Sequence, residues 1–153
     1  NGVFKLDLNI RNNSNNTYVP LVELNVVRIT SNSGTVSVRN AENAADGKTA
    51  ATAALFSYSS LLGSDQLFSP AEATSARTLQ FNDTTAEMFS FDVQVTAFQN
   101  GATAAQGGAS APSGSSGGGA GNPSNPLNSV PSLNGVMRIT VNPLTRSVTA
   151  KLL

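Results

Sequence analysis

Carboxylates are the groups of this chain best suited to acid–base chemistry, because its 153 residues include neither His nor Cys. Their absence removes the commonest general base and the thiol nucleophile. Two pairs of carboxylates remain, Asp83 with Glu87 and Glu42 with Asp46, and paired carboxylates hydrolyse glycosides in many enzymes. Scattered surface acids rarely form an active site, so both pairs are interpreted as solvated loop residues. The chain is therefore predicted not to be an enzyme and to use no cofactor.

A polar loop offers oxygen ligands to a hard cation. Asn40, Glu42, Asn43 and Asp46 lie close together in the sequence, and carboxylate and amide oxygens are ligands that Ca²⁺ takes. Their order does not match an EF-hand loop. One hypothesis is calcium binding by these four residues, and the alternative is an Asx-rich turn whose side chains cap its own backbone.

Short strands must position these loops, because apolar and polar residues alternate along most of the chain. The alternation predicts strands at residues 3–10, 21–30, 35–40, 75–82 and 89–98. A change of apolar parity between Val26 and Val27 predicts a bulge. On the last of these strands, Phe89 and Phe91 are predicted to face a core, whereas Asp92 is predicted to face outwards.

The C-terminal third of the chain has a different character. Residues 100–135 are dominated by Gly, Ser, Ala, Pro and Asn, a composition that predicts a long loop or tether after a main unit at residues 1–99. Residues 136–153 contain two strand-like runs and are predicted to form a β-hairpin. This hairpin would complete either its own sheet or that of a neighbouring subunit, and the sequence leaves both open.

Several motifs resemble a module found in secreted and cell-surface bacterial proteins, an immunoglobulin-like β-sandwich. The motifs are Leu8–Ser14, Tyr18–Leu21, Val38–Ala41, Asp46–Lys48, Ser75–Asn82 and Phe89–Val95. The resemblance covers residues 3–98 and implies an all-β, antiparallel sandwich of about seven to nine strands with binding or structural roles. The tract at 100–135 and the terminal hairpin depart from the usual module, so a specialised role is expected there.

Charge and composition narrow the choice of partners. The formal net charge is zero and 12% of the residues are charged, which argues against a nucleic-acid partner because phosphate binding needs a basic face. Weak mutual repulsion favours self-association. No apolar run is long enough to span a bilayer. Abundant Asn, Ser, Thr, Ala and Gly predict a secreted protein of the cell surface. A first residue other than Met indicates either a mature N-terminus after removal of a signal peptide or a fragment.

The terminal segments give the leading functional hypothesis, a structural subunit of an extracellular bacterial filament or surface assembly that joins its neighbours by strand pairing or strand exchange. The predicted assembly residues are Phe4, Leu6, Leu8, Val136, Ile139, Val141, Val148 and Leu152. The alternative is a binding module for a polysaccharide or another surface protein. Aromatic residues could provide a sugar-stacking platform, but their alternation on strands favours a place in the core.

Overall fold

The computed structural model describes residues 2–99 and 135–152. Asn1, Leu153 and nearly all of the predicted tether at 100–135 lie outside these ranges. The described part contains the strands β1 (Val3–Leu8), β2 (Tyr18–Ser31), β3 (Ser37–Val38), β4 (Ala54–Ser57), β5 (Arg77–Asn82), β6 (Phe89–Gln99), β7 (Gly135–Asn142) and β8 (Ser147–Leu152). Two short 3₁₀ turns, Ala50–Thr52 and Ser59–Leu61, flank β4. None of the helices in the described ranges is long and apolar enough to cross a membrane.

The strands form two antiparallel sheets, and the fold is all-β as predicted. One sheet has three strands in the order β1-β5-β3, and the other has five in the order β4-β2-β6-β7-β8. The hairpin β7–β8 pairs with β6 of its own chain, with Phe89 opposite Val141 and Val95 opposite Gly135. Among the described residues, the terminal hairpin thus completes the sheet in cis.

Aromatic and β-branched side chains fill the space between the sheets. Phe81 of the three-stranded sheet packs 5.2 Å from Phe89 and 4.8 Å from Phe91, measured between ring centroids. Three further aromatic residues on or near the strands, Phe56, Tyr58 and Phe68, are also fully buried. Burying one such ring removes roughly 150–250 Å² from water. These aromatics therefore belong to the core and are not available to stack against a sugar.

Two irregularities fit the chain to this packing. The predicted bulge is confirmed by a register shift between Val26 and Arg28 where β2 pairs with β6. A second shift lies between Val19 and Glu23, around Pro20, which has no N–H to donate to a neighbouring strand. Because this bulge absorbs the proline, β2 begins at Tyr18, three residues before the predicted strand.

The third strand is shorter than the predicted 35–40. The Arg39 N–H still donates to the Gln80 carbonyl. At Asn40, side-chain bonds replace the backbone ladder, because its amide donates to the Thr78 carbonyl and its oxygen accepts from the Gln80 N–H. The loop that follows turns at Gly47, whose φ of +71° favours glycine. A Cβ at this position would lie 2.9 Å from a methyl of Val38 and 3.0 Å from one of Val26, so the space admits no side chain.

Candidate functional site

The two sheets differ in width, and the difference is all on one side. Phe4 of β1 lies edge-on to Phe89 of β6, with 5.9 Å between ring centroids, which places β1 over β6. On the other side, the β3 residue Val38 and the β4 residue Ala54 both approach Gly47. The three-stranded sheet therefore covers β4, β2 and β6. Ile139 and Val141 on the inner face of β7 are buried as well. The inner face that no described residue covers lies at Met137 of β7 and at Val148 and Ala150 of β8, and we call this part of the sheet the overhang.

An apolar groove of about 640 Å³ lies where the overhang begins. Its floor is the inner face of the five-stranded sheet, and its wall is the end of β1. Residues from both sides line it, including Leu8, Ile10, Val93, Met137, Val148 and Ala150. Met137 and Val148 are 39% and 41% exposed, although their strand neighbours Val93 and Val141 are buried. The groove is thus a part of the apolar interior that no described residue covers.

Open strand edges flank the groove. In the described part, β1 pairs only with β5, and β8 pairs only with β7. The Gly2 carbonyl accepts from the Asp83 N–H at 2.8 Å, so the even-numbered residues of β1 direct their backbone groups to β5. By the alternation of an antiparallel ladder, Lys5 and Asp7 direct theirs to the open edge. Unpaired N–H and C=O groups of this kind are templates for another strand.

The rim of the groove is held by a fully bonded Asn. Asn12 is 1% exposed; its amide donates to the carbonyls of Asn16 (2.7 Å) and Phe68 (2.9 Å). Its oxygen accepts from the N–H (3.0 Å) and hydroxyl (2.7 Å) of Ser14. All the hydrogen-bonding capacity of this amide is used, so the Asn-rich segment around Asn12 has a defined conformation.

An ion pair stiffens the outer face beneath the groove. Arg138 of β7 donates through Nε to Asp92 Oδ1 at 2.7 Å and through a terminal nitrogen to Oδ2 at 2.9 Å. These hydrogen bonds from Arg138 hold the pKa of the Asp92 carboxyl below its ordinary value. Asp92 was predicted to face outwards, and it does lie on the outer face, but it is only 6% exposed. The side chain of Arg138 covers it from the neighbouring strand.

The four predicted calcium ligands already have partners within the protein. Asn40 is bonded to β5, and Asn43 accepts from the backbone of Leu55 and donates to the carbonyl of Ala53. Glu42 pairs with Arg77 at 2.6 Å. Asp46 accepts from the Lys48 N–H, and a bond from the Thr52 side chain contributes most to lowering the Asp46 pKa. Calcium binding here stays a prediction, and it would require these bonds to be displaced.

The paired carboxylates are engaged in turns. Asp83 is 4% exposed, and its Oδ1 accepts from the Glu87 N–H at 3.1 Å. Its Oδ2 has no partner among the described residues. Glu87 accepts from the backbone and hydroxyl of Ser33, and the hydroxyl contributes most to lowering the Glu87 pKa. No three Asp or Glu residues in the described ranges are grouped so as to hold a metal ion.

The predicted assembly residues differ in burial and in their position relative to the groove. Phe4, Leu6 and Leu8 are partly buried and pack against the core, whereas Ile139 and Val141 are buried within it. Val148 lies on the uncovered inner face of the overhang. Val136 is half-buried one residue before the floor residue Met137, and Leu152 is the last residue of β8. Only Leu8, Ile139 and Val148 of the predicted set line the groove.

Sequence reasoning did not find the groove itself, since its residues come from five strands and one loop. Comparison of the chain with protein-family models, with curated proteins and with solved structures found no match.

Proposed function

We propose that this protein is a structural subunit of an extracellular bacterial filament or surface assembly, built on an immunoglobulin-like sandwich and joined to its neighbours by strand pairing. The observation that carries the proposal is the apolar groove between the open edge of β1 and the uncovered inner face at Met137 and Val148. A strand placed there would find both unpaired backbone groups and apolar side chains. This combination is the requirement for β-strand addition.

The surface chemistry of the groove favours a protein partner over a charged ligand. Apart from Arg11 at the rim, its lining side chains carry no formal charge. Covering a large apolar side chain contributes about 1.5–3 kcal/mol when burial is complete. Met137 and Val148 are each about two-fifths exposed, so a partner gains a part of that amount from each. The zero net charge of the chain keeps repulsion between copies low.

The placement of the hairpin determines how the proposal is tested. Deleting β7 and β8 would remove Ile139 and Val141 from the core, so a truncated chain would lose stability as well as the edge. A single charge on the groove floor is a cleaner perturbation. Val148→Lys places an ammonium group on the uncovered face of β8. Leu144→Lys makes the same apolar-to-Lys change in the hairpin turn, where Leu144 is 79% exposed and outside the groove.

Sedimentation equilibrium and negative-stain electron microscopy of the full chain measure the effect. We expect concentration-dependent assembly of the unchanged chain and of Leu144→Lys, and at least about tenfold weaker assembly of Val148→Lys. Circular dichroism checks that each variant is folded. A chain that stays monomeric at about 1 mM, where even a weak contact of about −4 kcal/mol is half-formed, would refute the proposal.

A further inference from the structure

The overhang of one molecule has the shape that completes a second molecule. In the described part of each chain three strands face five, and the uncovered inner face, at Met137 of β7 and at Val148 and Ala150 of β8, lies beside the end of β1. We propose that two copies dovetail about a two-fold axis parallel to their strands, so that the overhang of each copy extends the three-stranded sheet of the other. This inference rests on the proposed function and specifies the partner, the symmetry and the contacting strands.

The symmetry follows from which elements must meet. A two-fold rotation parallel to the strands exchanges left with right and also exchanges the upper sheet with the lower one. It therefore brings β8 of one copy beside the open edge of β1 of the other copy, twice over. The result is two continuous sheets of eight strands, in which the apolar faces of the two overhangs cover each other. Such an interface is isologous and closed, so the pair would be the repeating unit of a larger assembly.

Strand directions make the contact between β1 and β8 parallel. β6 and β8 both run antiparallel to β7, so they run in the same direction. β1 also runs in this direction, because its first residues lie over the start of β6 at Phe89 and its end reaches the groove beside Val95. The two-fold axis preserves direction along the strands. Parallel pairing occurs in mixed sheets whose faces are covered, as the overhang would cover this one.

The same axis also preserves the level of a residue along the strands. Phe4 lies over Phe89, which is opposite Val141, and Val141 is opposite Val148. Phe4 and Val148 of the other copy therefore meet at about the same height. Three residues further along each strand, Asp7 comes beside Lys151 of the other copy.

The charges at this position are complementary. Asp7 and Lys151 are both exposed and both lie on the outer face of their sheets. Neither takes part in an ion pair among the described residues. The Asp7 carboxylate accepts from the Thr78 hydroxyl, which holds it on the outer face. In the symmetric pair this contact occurs twice, so its contribution to the free energy of dimerisation is doubled.

The area of the overhang indicates how strong the pairing would be. Because Ile139 and Val141 of β7 are already buried, the uncovered strip is about one strand wide, about 4.8 Å by about 20 Å, or about 100 Å² on each copy. A stable interface buries about 800 Å² per partner. The strip alone is too small, so both strand edges must contribute. We therefore expect a concentration-dependent dimer that dissociates in about the micromolar range.

A charge swap tests the predicted neighbours. Asp7→Lys converts two attractive contacts per dimer into repulsive ones, and we expect dimer affinity to fall about tenfold. Lys151→Asp alone is expected to act similarly. The double variant Asp7→Lys/Lys151→Asp restores opposite charges and should return affinity to within about threefold of the unchanged chain. Sedimentation equilibrium at low ionic strength measures all four proteins, because salt screens exposed pairs.

Cross-linking gives an independent test, since the chain has no cysteine of its own. Asp7→Cys/Lys151→Cys should form a disulfide-linked dimer on mild oxidation, because neighbouring strands bring Cα atoms within the about 4.4–6.8 Å that a disulfide needs. The double variant should give far more covalent dimer than the single variant Asp7→Cys, which lacks the matching thiol.

The outcomes separate this inference from the proposed function. Assembly that Val148→Lys weakens, but that is indifferent to the charge swap and gives no cross-link, overturns the dovetail and leaves strand pairing standing. Open filaments built by single-strand addition, with no two-fold unit, overturn it as well. A monomer in which the thiol of Ala150→Cys resists alkylation shows the groove covered within one chain, and it overturns both. Rescue by the double charge variant together with the double-cysteine cross-link supports the dovetail.

Discussion

Asn12 provides the sharpest test of how the rim of the groove is held. Replacing Asn12 by Asp preserves its shape but turns an amide that donates two hydrogen bonds into an oxygen that faces two carbonyls. The carbonyls of Asn16 and Phe68 lie 2.7 and 2.9 Å from the present nitrogen. Each buried acceptor left without a donor costs about 1–3 kcal/mol, and the buried charge adds to this. We expect Asn12→Asp to lower the free energy of unfolding by about 3–5 kcal/mol at neutral pH.

The loss should depend on pH in a defined direction. Burial and the two carbonyls disfavour the ionised carboxylate, so the pKa of the introduced Asp is raised above its unfolded value of about 3.9. The stability of the variant is then greatest below that unfolded pKa and falls as pH rises through the folded pKa. Acidification from neutral pH should therefore reduce the difference in free energy of unfolding between Asn12→Asp and the unchanged chain.

Urea unfolding followed by far-ultraviolet circular dichroism measures these changes. Asn13→Asp is the matched control, because it makes the same substitution at the exposed neighbouring residue, where we expect a change within about 0.5 kcal/mol. If Asn12→Asp cost less than about 1 kcal/mol at neutral pH, the hydrogen bonds of Asn12 would not determine the conformation of the rim.

Three further predictions concern the ion pair, a buried phenol and a glycine. The folded pKa of Asp92 is depressed, so its ion pair stabilises the fold above the unfolded pKa of about 3.9, and this contribution is lost as pH falls through the folded pKa. Arg138→Met should abolish the loss of stability that this carboxylate contributes to an acid unfolding curve. Burial raises the pKa of Tyr58 to about 12. Its contribution to folding stability is therefore present below the unfolded pKa of about 10 and is lost as pH rises through the folded pKa. The difference between ultraviolet titrations of the unchanged chain and of Tyr58→Phe gives the pKa of this phenol. Gly47→Ala should cost about 2 kcal/mol or more in thermal unfolding, since strain and a close contact add, whereas Gly34→Ala, at a similar φ of +67° but in open space, should cost about 1 kcal/mol.

Each of these predictions has an outcome that contradicts it. An acid unfolding curve unchanged by Arg138→Met would mean that the ion pair does not set the Asp92 pKa. A phenol titrating near 10 in the folded Tyr58 side chain would show that water reaches it. Equal losses for Gly47→Ala and Gly34→Ala would mean that the valine methyl groups move aside and that backbone strain alone decides the cost.

Local patterns in the sequence were enough to locate most strands. Alternation of apolar and polar residues predicted the strands now seen at Val3–Leu8, Arg77–Asn82 and Phe89–Gln99, and both strands of the terminal hairpin. A parity change predicted the bulge beside Val26. These features follow from a strand's two-residue period, which a single segment displays without reference to any other.

Burial of polar residues was less accessible to the same reasoning. Asp92 follows the polar alternation of its strand, and nothing within that strand indicates that Arg138, which is 46 residues away, will cover it. Asn12 reads as one of several similar loop residues, yet it is buried because carbonyls from two segments converge on its amide. Whether a polar side chain is solvated or bonded depends on which segments become its neighbours.

The sequence by itself determined that the chain is all-β, that it lacks His and Cys chemistry and that its last residues form a hairpin. Only the tertiary structure decided that the wider sheet extends past the narrower one at β8 and at the Met137 end of β7, and that this leaves a groove beside β1. The physical reason is that alternation specifies which face of a strand is apolar, whereas strand order specifies whether another strand covers that face. Strand order arises from pairings between residues far apart in the chain, and the uncovered face at Val148 exists only after those pairings are made.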